Sequence, residues 1–379
     1  MKTVFFFAMC VLIGIVLIKR RRQRPSPHLH SVDAIVAAYN EGPCLSDSLR
    51  NLLSNRYVRS VICVNDGSSD DTGEVLDRLA AEFPDRLIAV HQSNTGKGGA
   101  LMHGLKYARV EQVFLTDADT LVLPDGDDLG YLLAEIEAGA DAVGGIPSSN
   151  LRRAGVLPHI RASLKLPMIV LKRSLQQLLG GAPFIISGAC GMFRTEVLRS
   201  VGFSDRTNVE DLDLSWSLVA KGYRVRQSNR CVVYPQECNS IGEEWRRWRR
   251  WIVGYAVCMR LHRRLLLTRF GLFSILPMAL VVVAGVVAMA FTWSGALQAH
   301  GPLGVLTALL PPLWVGIAMG LGVLSAIHHR RPMLVLTSSI AVLYVLLAYT
   351  IWLTHGLRGL FSGREPLRDK PTRYRNVVE

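Results

Sequence analysis

The chain has 379 residues, half of them hydrophobic, with 43 lysines and arginines against 30 aspartates and glutamates, a formal net charge of +13. That length holds one domain of roughly 200 residues plus membrane segments, and a mean hydropathy of +0.26 argues against a purely soluble enzyme. The basic excess sits in clusters beside apolar runs, which suits a membrane surface rather than nucleic acid as the partner.

The first apolar run, Thr3–Ile18, is followed by the basic cluster Lys19–Arg24. A cleaved signal peptide carries its positive charge ahead of the apolar stretch, so this order reads as a retained anchor over 1–24. Basic residues resist translocation, which puts the cluster and the domain after it on the cytosolic side. Seven cysteines lie scattered at positions 10, 44, 63, 190, 231, 238 and 258. Their odd count and wide gaps indicate neither a disulfide framework nor a zinc site.

From residue 31 to 240 short β-rich runs alternate with helical patterns. Asp33–Ala38, Ser60–Val64, Leu87–Val90 and Gln112–Leu115 read as strands, with helices near 44–54, 71–82 and 98–109. This alternation predicts an α/β domain with a mostly parallel sheet, whose ligands bind beyond the carboxyl ends of the strands. Asn40-Glu41, Asn65-Asp66-Gly67 and Asp117-Ala118-Asp119 each follow a strand directly. One such cluster is explained by a turn or a helix cap; three in succession indicate a shared crevice.

Asp117 and Asp119 are hard oxygen donors one residue apart at a strand end, suited to Mg2+ or Mn2+ shared with substrate phosphates. Asn94–Gly99 lacks the spacing of a Walker loop, because His91 stands at its first glycine and Gly98 follows Lys97. Lys97 at a helix start can still meet a phosphate. Glu210, Asp211 and Asp213 precede a helical pattern, where a helix dipole alone would favour them. Asp211 is also a candidate base for a hydroxyl proton.

Further on, Trp245, Trp248, Trp251 and Tyr255 fall on one side of a helix and Arg246, Arg247, Arg249 and Arg250 on the other. An interfacial helix over 241–266 is predicted, its aromatic rings among lipid. Three membrane segments are expected between 270 and 355, at about Leu272–Trp293, Leu303–Ile327 and Met333–Leu353. Counting crossings puts the basic tail 356–379 outside, against the charge rule, so either the tail is translocated or one of the three runs is not a simple span.

The order of these motifs resembles the family 2 glycosyltransferases, which include the chitin-oligosaccharide, hyaluronan, cellulose and poly-N-acetylglucosamine synthases. The resemblance runs from about Val32 to Tyr255 and implies a GT-A (nucleotide-diphospho-sugar transferase) domain. Ala38-Tyr39-Asn40-Glu41 and Asn65-Asp66-Gly67-Ser68-Ser69-Asp70 resemble the two nucleotide-binding motifs. Asn94–Gly99 resembles the turn that contributes a lysine, and Asp117/Asp119 the metal motif. The resemblance implies donor binding by Tyr39, Asn40, Glu41, Asp66, Lys97, Asp117 and Arg250. It implies acceptor binding by Ser187, Gly188, Glu210 and Trp251, with Ser187–Gly191 as a strand lining that site, and Asp211 as the general base.

The family's Q-x-x-R-W motif appears here with Arg247 in place of glutamine, before Arg250-Trp251. That form resembles the ceramide glucosyltransferases, so the acceptor is either a growing glycan or a lipid. The expected activity is inverting, metal-dependent transfer from a UDP-sugar, building a β-linked polysaccharide or oligosaccharide; a glycolipid-forming enzyme and a silent membrane receptor or scaffold of the same fold are the alternatives. The expected setting is a bacterial inner membrane with the catalytic domain cytosolic, and no protein partner is indicated.

Overall fold

Runs of β-branched and small apolar residues build the centre of the sheet. In the computed structural model, which describes residues 23–122, 126–280, 283–285, 287, 302–356 and 371–375, strands β1 (Val32–Ala38), β2 (Val58–Asp66), β3 (Leu87–Gln92) and β4 (Gln112–Asp117) lie in the order β3-β2-β1-β4, all parallel. Helices α1 (Gly42–Ser54), α2 (Thr72–Glu82) and α3 (Gly96–Leu105) are the crossovers. β1 is buried along almost its whole length, as a strand covered on both faces must be. All four expected strands and three expected helices are present, with ends shifted by a few residues.

Past β4 the sheet becomes mixed. β7 (Gly191–Arg194) runs antiparallel to β4, followed by β6 (Ala142–Pro147), β8 (Val225–Pro235) and the short β5 (Thr120–Val122). Helices α4 (Asp128–Glu137), α6 (Thr195–Val201) and α7 (Glu210–Ala220) complete this part. The core is centred on Ile35, Ile62, Phe114, Leu49 and Trp216, all fully buried. It also encloses Asp33, whose charge is matched in place. Asp33 accepts from Arg59 Nε and Nη2 at 3.0 and 2.9 Å, Ser60 Oγ at 2.7 Å and Arg109 N at 2.8 Å.

The described residues fall into two compact units: one within Met1–Arg152, Val170–Gln236 and Pro371–Glu379, the other within Arg153–Ile169 and Glu237–Lys370. Helix α5 (Val156–Gly180) contributes its first part to the second unit and its last part to the first.

In the second unit α8 (Ile241–Leu261) starts at Ser240, whose Oγ accepts from Glu243 N at 3.2 Å, a standard cap. α9 (Pro302–His329) and α10 (Met333–Ile351) follow, and α10 continues as a π-helical turn, Trp352–Gly356. Met333–Gly356 is long and apolar enough to cross a membrane, whereas Trp314–His329 is a shorter apolar stretch. Residues 269–280 are helical. The expected anchor at Thr3–Ile18 lies outside the described residues, as do most of 281–301 and of the tail.

The aromatic stripe of α8 lies on one side of the helix. It packs on α10 and its continuation, neighbours that the periodicity alone does not name. Trp248 packs edge-on to Trp251 and Tyr344, Trp245 to His355, and Tyr255 meets Trp352. The indole N–H explains the preference, because it needs an acceptor when buried. Trp248 Nε1 has Glu244 Oε1 at 2.7 Å and Tyr344 Oη at 2.8 Å. Beside it, Glu237 takes Arg161 Nη1 at 2.7 Å, Lys165 Nζ at 2.6 Å and Arg247 Nη1 at 3.0 Å. Arg247 also pairs with Glu244, and Arg161 and Arg247 lie over the ring of Trp251. Arg247 therefore serves as a counter-ion for two buried carboxylates. Burial pushes the Lys165 ammonium below its ordinary pKa, against the pull of Glu237.

Candidate active site

Parallel pairing brings three strand ends to one edge of the first unit. Ala37 is in register with Val64 of β2 on one side and Asp117 of β4 on the other, and Ala38 with Asn65. The turn after β1 is left-handed at Asn40, with φ 51°, a conformation that asparagine tolerates better than most side chains. Its N–H donates to Ser68 Oγ at 3.0 Å and its Oδ1 accepts from Ser69 N at 2.8 Å. Glu41 N donates to Thr72 Oγ1 at 2.8 Å and Gly42 N to Asp70 Oδ2 at 3.2 Å. Tyr39 stands half-buried on this turn.

Asp66 is buried at the end of β2, and its Oδ1 accepts from Gln92 Nε2 at 2.7 Å and Thr95 N at 2.8 Å. Gly67 follows with φ 72°, and a Cβ there would lie 2.8 Å from Asn94 N. Only glycine lets the 94–97 turn approach so closely. That turn delivers Lys97 at the start of α3. Its Nζ reaches Asp117 Oδ1 at 2.5 Å and Glu210 Oε1 at 3.6 Å. One ammonium thus bridges the strand-end acidic motif and the helix-start acidic motif, which are distant in sequence.

Asp211 stands next to Glu210 in the first turn of α7. Its Oδ2 accepts from Gly188 N at 2.9 Å and its Oδ1 from Leu212 N at 2.9 Å. The loop carrying Gly188 is itself fixed. Ile186 N donates to Ser215 Oγ at 2.9 Å, Trp216 Nε1 to Phe184 O at 2.9 Å, and Thr116 Oγ1 to Ala189 O at 2.9 Å. Ser187–Cys190, expected as part of a strand, is the turn leading into β7, closed by Cys190 N to Ser187 O at 2.9 Å. Lys97, Ser187, Gly188, Glu210 and Asp211 border one small space that they share with the apolar side chains of Leu115, Ile186 and Phe193. Asp213, in contrast, is held away from it by Arg206.

Asp119 is buried two residues after Asp117. Burial pushes its carboxyl up to about 6; Arg373 pulls it down, while Asp117 and Glu41 add to the rise. Arg373 Nη1 lies 2.5 Å from Asp119 Oδ2, and Arg373 Nε 2.8 Å from Glu41 Oε2. Sequence reading missed Arg373, since no local pattern links residue 373 to residues 41 and 119. Among the described residues no three His, Cys, Asp or Glu side chains converge on one metal position. The pair Asp117/Asp119 still suits a hard divalent cation, because both carboxylates already take a cationic group, Lys97 on one and Arg373 on the other. The remaining ligands would come from phosphate and water. Arg250 and Trp251 lie on α8, in the second unit.

The family model for glycosyl transferase family 2 matches residues 33–202. An Escherichia coli K12 protein called uncharacterized glycosyltransferase YaiP is 62% identical over 379 residues, covering 100% of this chain and 95% of the relative. The chain is a family 2 glycosyltransferase. A Staphylococcus aureus poly-beta-1,6-N-acetyl-D-glucosamine synthase is 32% identical over 231 residues, 60% of this enzyme and 55% of the synthase. The fold is GT-A-like. It is similar to that of a mannosyltransferase from Pyrobaculum calidifontis solved with GDP-Man and Mn2+, with a TM-score of 0.55 and 22% identity over 88% of this chain and 95% of that one.

Proposed function

We propose that this glycosyltransferase moves a sugar, with inversion, from a UDP-sugar to an acceptor hydroxyl at a membrane, and that its product is a β-linked polysaccharide or oligosaccharide. The observation that carries the reading is the single ammonium of Lys97 joining Asp117 to Glu210, with Asp211 beside it. A departing diphosphate needs positive charge and an attacking hydroxyl needs a base. Lys97 and Asp211, which border the same small space, are the candidates for the two roles.

In this mechanism Tyr39, Asn40, Glu41 and Asp66 hold the nucleotide. Asp117 and Asp119 would hold Mg2+ or Mn2+, which supplies neutralisation of the charge growing on the diphosphate. Asp211 takes the acceptor's proton. The freed oxygen forms a bond to the anomeric carbon from the face opposite the diphosphate, and the C–O bond to the diphosphate breaks with its electron pair. The backbone N–H groups of Gly188 and Leu212 fix the Asp211 carboxylate for that proton. Ser187, Gly188 and Glu210 border the acceptor side of that space. The roles of Arg250 at the diphosphate and Trp251 at the acceptor rest on the R-x-x-R-W motif alone.

The similarity to a poly-β-1,6-N-acetyl-D-glucosamine synthase supports a glycan product, the apolar helix Met333–Gly356 supports a membrane location, and the basic cluster Lys19–Arg24 supports a cytosolic catalytic unit. A glycolipid product is the second reading, favoured by Arg247 at the glutamine position of the motif. Membranes carrying the enzyme, supplied with radiolabelled UDP-sugars, should yield a labelled glycan. Asp211→Asn should bind the donor as the wild type does and lose transfer by about 10²–10⁴-fold. Near wild-type transfer by that variant would remove Asp211 from the base role, and a single-sugar lipid as sole product would replace the polymer.

A further inference from the structure

The segment Pro371–Arg375 belongs to the first unit and brings one side chain into the acidic cluster. Arg373 is 14% exposed and spans two carboxylates, with Nη1 2.5 Å from Asp119 Oδ2, Nε 2.8 Å from Glu41 Oε2 and Nη2 3.2 Å from Glu41 Oε1. The residue after it is clamped through its backbone. Gln236 Nε2 donates to Tyr374 O at 2.5 Å, and Tyr374 N donates to Gln236 Oε1 at 3.3 Å.

A divalent ion on a carboxylate oxygen sits about 2 Å from it. A guanidinium kept on that same oxygen would leave two cations about 4 Å apart in a buried, poorly screened place, a repulsion much larger than in water. On Asp119 Oδ2 the two occupants are therefore mutually exclusive. We propose that Arg373 is an internal cation plug of the donor site: it neutralises Asp119 and Glu41 in the metal-free enzyme, and divalent metal loads by displacing it. This rests on the assignment of the metal to Asp119. Linkage then requires that metal weaken the seating of Arg373 as much as Arg373 weakens the metal. Because only the unplugged fraction is competent, the apparent metal affinity is reduced by that fraction.

Mn2+ binding to the full chain in detergent, followed by the loss of the free-ion electron paramagnetic resonance signal, tests this without any turnover. Arg373→Gln should bind Mn2+ about tenfold tighter than the wild type. Gln236→Ala releases the backbone of Tyr374 without altering any charge, and should shift affinity in the same direction. In the wild type, Mn2+ should accelerate hydrogen exchange at the Tyr374 amide. Unchanged or weaker binding by both variants overturns the plug. So does tightening by Arg373→Gln alone, which would report only a deleted positive charge. Asp119→Asn separates the two levels. If it binds Mn2+ as the wild type does, the metal assignment and the plug fall together; if it loses Mn2+ while the other variants do not tighten, only the plug falls.

Discussion

Gly188→Ala perturbs the junction of the two acidic motifs while removing no charged group. An added Cβ would lie 2.5 Å from Lys97 Nζ but 3.4 Å from Asp211 Oδ2, so the lysine is the group that must move. Ordinary contact requires about 3.5 Å, which drives the ammonium back by about 1 Å. Its 2.5 Å bond to Asp117 Oδ1 then stretches beyond hydrogen-bonding range. A displacement of that size in a reacting constellation costs on the order of 10²-fold in kcat. The Gly188 N–H still reaches Asp211, and the displaced atom is the end of a flexible chain, so folding should lose at most about 1 kcal/mol. The assay is sugar release from the active UDP-sugar, with thermal unfolding in detergent alongside. A cycle with Lys97→Met isolates the cause: the double variant should be no slower than Lys97→Met alone. Gly188→Ala turning over within threefold of wild type, or losses that multiply in the double variant, would refute the bridging role of Lys97.

Two further outcomes concern stability. Asp33→Ala removes the acceptor of Arg59, Ser60 and the Arg109 amide; because Arg59 is partly exposed and can turn to water, the loss should be about 2 kcal/mol, and an unchanged unfolding midpoint would contradict it. Arg247→Gln restores the family's glutamine yet withdraws a partner from Glu237 and Glu244. With Arg161 and Lys165 still on Glu237, it should cost about 1–2 kcal/mol without altering product length; a variant as stable as wild type would show that the ion network is dispensable.

The parallel half of the sheet was legible because each strand is a short apolar run ended by polar turn residues, and its helices fill the gaps. The strand-end positions of Asn40, Asp66 and Asp117 follow from that pattern alone. Helix α5 was not legible, since Pro167 interrupts a sequence without a clean apolar stripe. The aromatic face of α8 was legible without its protein neighbours: helical periodicity says that Trp248 and Trp251 share a side, not what packs on it. Ser187–Cys190 looked extended, but its shape is set by hydrogen bonds to α7 and β4 rather than by propensity. The pairing of Lys97 with Asp117 and Glu210, and the arrival of Arg373, depend on contacts across the fold that no local spacing encodes.

The left-handed turn at Asn40 has a consequence for inheritance. Its amide and side chain grip Ser68 and Ser69, and the next two amides grip Thr72 and Asp70. What the sequence spells as two separate words, Tyr39–Gly42 and Asn65–Thr72, is physically one knot. Neither half can drift alone, since a replacement in one strands a donor or acceptor in the other. Transplanting donor preference from a relative therefore means moving both loops as a single cassette.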